Sequence, residues 1–230
     1  MSVANSNKGV SVQIKGLHKS FGPHEVLKGI NLEIRSGEIF VIMGPSGGGK
    51  SIFLRQLIGL DSPDAGEVLV NGTKVEDESI RDRFRMAMVF QSGGLLNSLT
   101  VAENVGLYLS EHRVHPPKEI ARIVREMLEA VQLSASDEEK NPTELSGGMK
   151  KRVAIARALV NQPLVILADE PTANLDSATG EKILELMQEL NEREGTTFLF
   201  STHDSHIMTR ARRVLSVKDG LIVGDDRKGA

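Results

Sequence analysis

The chain has no cysteine and no tryptophan, and only one tyrosine beside seven phenylalanines. Without thiols, disulfides and thiolate metal centres are excluded, and a reducing compartment is compatible with the composition. It also lacks any apolar run near the ~18 residues that a membrane-spanning helix requires. The opening stretch MSVANSNKGV does not have the charged-then-apolar order of a secretory signal. The expectation is a cytosolic protein, and if it works at a membrane, other chains must do the spanning. An excess of one charge is missing too, since 28 Lys and Arg stand against 31 Asp and Glu, a net −3. A general nucleic-acid binder would carry a basic excess, so no nucleic-acid partner is expected.

What is present is an ordinary globular balance, 40% hydrophobic and 26% charged, over 230 residues. That length suits one large α/β domain with room for a subdomain. Residues 1–9 are small and polar and are expected to fray. Val10, Val12 and Ile14 alternate as in a half-buried strand, and NLEI continues the strand-rich start. IFVIM is a continuous apolar run of the kind that forms a strand buried on both faces. SIFLRQLIGL then sets Phe53, Leu54, Leu57, Ile58 and Leu60 on one helical stripe.

From about residue 92 to 160 the strand signals stop. EIARIVREMLEAVQL aligns Ile120, Ile123, Val124, Met127, Leu128 and Val131 on one helix face. SGGMKKRVAIARALV does the same with Val153, Ala156, Leu159 and Val160, and its run Lys150, Lys151, Arg152 reads as a solvated face. Strands return in LVILA, TTFLFST, RVLSV and LIV. Between the first two, EKILELMQELNERE turns Ile183, Leu186, Met187 and Leu190 inward. Alternating β and α elements argue for a mainly parallel sheet covered by helices. The expected organisation is a flexible 1–9, a core formed by 10–91 and 161–230, and an inserted helical subdomain at 92–160.

Gly44, four residues, then Gly49-Lys50-Ser51 has the spacing of a phosphate-binding loop. Glycines let the backbone curl with its N–H groups inward, and a helix N-terminus adds partial positive charge. Lys50 would bridge the β- and γ-phosphates, and Ser51 would ligate Mg²⁺. A Gly-rich connector with a chance Lys-Ser is the alternative, which the strand before and the helix after disfavour. Asp169 and Glu170 close the apolar LVILA, and an acidic pair there needs a cation or a polar network. If that strand ends beside the loop, Asp169 stands near Mg²⁺ and Glu170 takes a proton from the attacking water. A turn with solvated carboxylates is the other reading. Ser146 reads as the N-cap of the next helix, with Gly147 and Gly148 freeing the backbone there as a second anion site.

Over about residues 10–223 the chain resembles the ATP-binding subunit of ATP-binding cassette (ABC) transporters. Phe21, in KSFG, matches the aromatic that stacks on adenine. Gly44, Pro45, Ser46, Gly47, Gly48, Gly49, Lys50, Ser51 and Ile52 match the phosphate loop and the helix start after it. Gln91, in MVFQS, matches the glutamine that reaches Mg²⁺ or the attacking water. LSGGM matches the family signature, and Asp169 and Glu170 match the magnesium-associated and water-activating acids. Asp176, in ANLD, matches the D-loop acid, and His203, in STHD, matches the switch histidine on the γ-phosphate. Ile52, Gly48 and Met149 depart from the commoner Thr, Ser and Gln without removing a phosphate ligand.

The resemblance implies an α/β P-loop NTPase fold: a RecA-like, mainly parallel sheet with helices, an antiparallel β portion and an inserted α-helical subdomain. It implies ATP hydrolysis with ATP and Mg²⁺, by Lys50, Gln91, Glu170 and His203. It implies a head-to-tail homodimer in the ATP-bound state, in which Ser146, Gly147 and Gly148 of one copy cap the phosphate held by Lys50 of the other. Asp176 would link the two sites. Integral-membrane permease subunits would be driven from the cytoplasmic face of a bacterial membrane, with coupling beside Gln91, where Leu95 and Leu96 are either buried or exposed. The first half is most similar to Mla/Mkl-type phospholipid cassettes and the later half to lipoprotein-release and macrolide-export cassettes. Such a mixture fits a divergent natural branch or a recombined or designed chain, and the expected cargo is lipid-linked. A non-transport clamp of the family would usually bring long coiled-coil insertions or a second cassette.

Overall fold

The computed structural model describes residues 10–77, 79–202 and 205–228. The expectation for residues 1–9 lies outside them. Ten strands form: β1 (Val12–Phe21), β2 (His24–Ile34), β3 (Ile39–Met43), β4 (Ala65–Val70), β5 (Thr73–Lys74), β6 (Met86–Val89), β7 (Val165–Asp169), β8 (Thr197–Ser201), β9 (Arg213–Lys218) and β10 (Leu221–Arg227). The helices are α1 (Lys50–Leu57), α2 (Ser79–Arg83), α3 (Val101–Glu111), α4 (Pro117–Ala130), α5 (Gly147–Leu159), α6 (Ser177–Glu194) and α7 (Ser205–Arg210). Every strand and long helix expected from the sequence pattern has its counterpart here.

Two sheets result. An antiparallel one runs in the order β2-β1-β4-β5, and a six-stranded one in the order β10-β9-β3-β8-β7-β6. In the larger sheet β9, β3, β8, β7 and β6 are parallel, and β10 alone is antiparallel. The apolar run at Ile39–Met43 explains its central place, because a strand covered on both faces needs side chains that tolerate burial on both. Phe40 and Ile42 join one core with α1 and the antiparallel sheet. Ile39 and Val41 join a second core with Val153 and Leu128 of the helical insert and Met187 of α6. The period-two alternation along β3 thus divides the protein into two hydrophobic compartments with the sheet between them.

The helices α3, α4 and α5 fall between β6 and β7 and pack on one another. A reciprocal cap opens α3: Thr100 Oγ1 accepts from Glu103 N–H while the Glu103 carboxylate accepts from Thr100 N–H. Between α4 and α5, the buried Asp137 accepts from the Lys140 ammonium at 2.6 Å and from the Ser134 N–H and hydroxyl. The Lys140 bond comes first among the causes that hold its pKa at about 2, and burial opposes them. On α1 the fully buried Gln56 has no partner for either amide atom among the described residues.

The stripe expected on α1 is one residue too long at its end. The helix stops at Leu57, Gly59 takes φ +70°, and Leu60 is 42% exposed. The left-handed glycine turns the chain away from the core before Leu60 can pack.

Candidate functional site

The loop between β3 and α1 is the centre of the site. Gly44 lies so close to β9 that a β-carbon there would collide with the Val217 carbonyl oxygen. Gly47 and Gly49 adopt φ +77° and +89°, the left-handed region that favours glycine. Gly47 has nothing within 4 Å of where a β-carbon would sit, so the loop opens to solvent at that point. At the tip, Gly48 N–H donates to Pro45 O at 3.1 Å and closes a tight turn over Ser46 and Gly47. Phe53 N–H is the first to bond back into α1, on Gly49 O, which leaves the N–H groups of Lys50, Ser51 and Ile52 without an intrahelical acceptor. Lys50 folds its ammonium over the loop, 2.8 Å from Gly44 O and 3.0 Å from Pro45 O. Free N–H groups, a lysine and an exposed Ser51 hydroxyl ring one small bowl.

The acidic pair does not stand on the strand next to this loop. β8 runs between β3 and β7. Ser201 pairs with Ile42 on one side and Asp169 on the other, so the three residues form one row across the sheet. At about 4.8 Å per strand, Asp169 lies roughly 10 Å from the end of β3. Asp169 is buried, and the Ser201 hydroxyl beside it has no partner among the described residues. Glu170 follows with φ +49°, a strained setting for a non-glycine residue, fixed by its N–H on Ser201 O at 2.8 Å. The Thr202 hydroxyl lies 3.3 Å from the Glu170 carboxylate. The solvated-turn reading of this pair therefore fails, since Asp169 is enclosed and Glu170 is tied down by backbone and hydroxyl.

Ser146 caps α5 as expected, its hydroxyl accepting from Met149 N–H at 3.2 Å. Ser146 and Gly147 are exposed. Asp176 is exposed and caps α6 through Thr179 N–H at 3.0 Å, an interaction that lowers its pKa. Phe21, at the end of β1, is 53% exposed, with the Lys19 ammonium 5.7 Å from its ring centroid. A ring so exposed is not a core residue and is open to a ligand. His203 lies outside the described residues.

Gln91 follows β6 with its side chain exposed. Leu95 packs against the insert while Leu96 is 46% exposed, which resolves the open question about that pair. Asn104, fully buried in α3, holds the loop by accepting from Leu96 N–H and donating to Leu96 O, Leu99 O and Thr100 O. Arg157 of α5 donates to Gly93 O and Gly94 O.

The basic run on α5 is not the solvated face expected from sequence. Lys151 is 2% exposed and donates to Phe90 O at 3.1 Å and Gln91 O at 2.9 Å. Burial pushes its pKa down, and the nearby Asp169 and Glu170 carboxylates push it back up. The signal was available in the sequence: Val153, Ala154, Ile155 and Ala156 are consecutive, so α5 is buried nearly all round and leaves little solvated face.

The open space at Gly47 and the free N–H groups of α1 suit a nucleotide's phosphates. Ser51, Gln91 and Asp169 carry hydroxyl, amide and carboxylate oxygens, the donor types that Mg²⁺ prefers. Fold and bowl together define a P-loop nucleotide-binding protein. A family model described as ABC transporter matches residues 27–173. The chain belongs to that family. It is 40% identical over 203 residues to the probable ribonucleotide transport ATP-binding protein mkl of Mycobacterium leprae (strain TN), covering 86% of this chain and 58% of that protein. It is 43% identical over 217 residues to the lipoprotein-releasing system ATP-binding protein LolD of Bacteroides fragilis (strain YCH46), covering 92% and 100%. The chain thus spans less than two thirds of its mkl relative. Among solved structures, the ATP-binding cassette MJ0796, a dimer in a post-hydrolysis state bound to ADP and Pi, superposes with a TM-score of 0.89 at 38% identity, covering 95% of this chain and 99% of that one.

Proposed function

We propose that this chain is the ATP-hydrolysing subunit of an ABC transporter. The observation that carries the reading is the row Ile42–Ser201–Asp169, which sets the glycine bowl and the acid pair at one edge of a parallel sheet. Lys50 and the free N–H groups of α1 would hold the phosphates. Ser51, Gln91 and Asp169 would hold Mg²⁺, which when bound neutralises charge on the phosphate oxygens. Glu170, fixed by Ser201 O and Thr202, would accept the proton of the attacking water, and His203 would hydrogen-bond the terminal phosphate. Phe21 would stack on adenine.

Two copies would close head to tail, with the exposed Ser146 and Gly147 and the half-buried Gly148 of one meeting the Lys50 loop of the other and Asp176 near the seam. The dimeric cassette among the structural relatives supports this arrangement. No helix among the described residues is long and apolar enough to cross a membrane, so the work would reach a bilayer through separate permease subunits at its cytoplasmic face. For cargo we favour a lipid-linked molecule, supported by the match along the whole lipoprotein-releasing relative. The mkl relative is named for ribonucleotide transport, which is the competing reading.

The test of the chemistry is Glu170→Gln. It should collect as an ATP-bound dimer on size exclusion and release phosphate at less than about one hundredth of the normal rate. Turnover at the normal rate refutes the role of Glu170. For cargo, the permease that co-purifies should be reconstituted in vesicles. ATPase activity should rise with lipid-linked substrate; a rise with ribonucleotides instead would decide for the other reading.

A further inference from the structure

Lys151 is a buried cation with no direct place in the chemistry just described. Removing an ammonium from water is costly, and an apolar side chain of similar length would fill the same space at less cost. Its setting therefore asks for a reason. Its two acceptors are consecutive carbonyls, Phe90 O and Gln91 O, where the chain leaves β6. β6 is hydrogen-bonded to β7, with Val89 opposite Ala168, so the next residues on each strand are Phe90 and Gln91 on one and Asp169 and Glu170 on the other. The same helix begins at Ser146.

We propose that Lys151 is a positioning residue: its ammonium pins the Phe90–Gln91 backbone to α5, so that the Gln91 side chain travels with the helix that presents Ser146. The proposal rests on the ATPase reading above and adds to it a named mechanical link. Arg157 secures the loop further on, at Gly93 O and Gly94 O, and Gly93 passes close over the helix, where a β-carbon would sit 3.5 Å from Lys150 O. Lys151 alone of these grips Gln91 itself. A shift of the α5 tip toward a nucleotide would then be felt as a shift of the Gln91 amide. A lysine suits that task, because its ammonium has three donors to serve the two carbonyls.

The experiment compares wild type, Lys151→Met and Lys151→Arg in the full chain. Amide hydrogen exchange of residues 92–95, without nucleotide, reads the pin directly. Affinity for a fluorescent ATP analogue and steady-state phosphate release read its consequence. In Lys151→Met, exchange in that segment should rise by about tenfold or more. Analogue affinity should stay within about twofold while kcat falls about 10- to 100-fold, the pattern of a misplaced reacting group rather than a lost binding contact. Lys151→Arg, which can donate to both carbonyls, should recover most of both losses. Unchanged exchange in Lys151→Met overturns the proposal, as does unchanged kcat. So does a parallel collapse of affinity, kcat and melting temperature that arginine does not reverse. If wild type itself releases no phosphate, the ATPase reading fails, and the exchange measurement still decides whether Lys151 holds the loop.

Discussion

Gly148, in the first turn of α5, lies against the backbone of Asn174: a β-carbon on the glycine would come 2.9 Å from the Asn174 carbonyl oxygen. The two residues belong to different motifs, LSGGM and ANLD, and their contact places both on one exposed edge. Gly148→Ala forces them apart although alanine is the better helix former. We expect ATP-dependent dimerisation and phosphate release to fall about tenfold or more, because the Ser146 tip is displaced. Nucleotide affinity of the single chain should not change. Sedimentation with and without ATP checks the first point and analogue titration the second.

Phe21 is more than half exposed, so its removal should leave the fold untouched. Phe21→Ala should keep the melting temperature of wild type. It should weaken ATP binding about tenfold, within the roughly 1–3 kcal/mol that base–aromatic stacking contributes. Affinity for inorganic triphosphate, which has no base, should be unaffected; an equal loss for both ligands would contradict the stacking role.

Gln56 presents the opposite case, a buried polar group with neither amide atom bonded among the described residues. Replacing it with the unbranched Met should stabilise the chain by about 1 kcal/mol or more, since a desolvated amide is removed and little shape is changed. The urea midpoint should rise with the slope unchanged. A fall would mean that the amide is hydrogen-bonded in solution.

Asp137 supplies a pH signature. Its folded pKa, about 2, lies below the unfolded value of 3.8. Its stabilisation is therefore complete above about pH 4 and is lost as pH falls through 2. Asp137→Asn should lower stability at pH 7 by about 1–2 kcal/mol, through loss of a charged acceptor. Between pH 4 and 2 the melting curves of variant and wild type should converge. A constant gap over that window would show that the carboxylate charge is not what matters.

Much of this architecture was legible because burial on two faces and burial on one leave different patterns. IFVIM reads as a strand buried on both faces and LVILA as an apolar strand, and both lie inside the large sheet. The phosphate loop was legible because its glycines are demanded by backbone geometry at Gly44, Gly47 and Gly49. Lateral order was not legible. A strand's sequence records that it is covered but not which strand covers its edge, so whether the Asp169 strand neighbours the loop could only be posed as a condition, and β8 stands between them. The burial of Lys151 could be read from the apolar run Val153–Ala156, but what it holds could not. Its partners are main-chain carbonyls of residues 90 and 91, which any side chains would supply equally. Leu60 was misread because periodicity continued one step past the glycine that ends the helix.

The two hydrophobic compartments give the molecule a division of labour in failure. The packing under Lys50 belongs to one side of the sheet, and the packing under Ser146 to the other. Damage beneath α5 should blunt the jaw a copy offers its neighbour, yet leave its own grip on a nucleotide sound. Mixed with intact copies, such a protein would form assemblies with one working jaw and one idle.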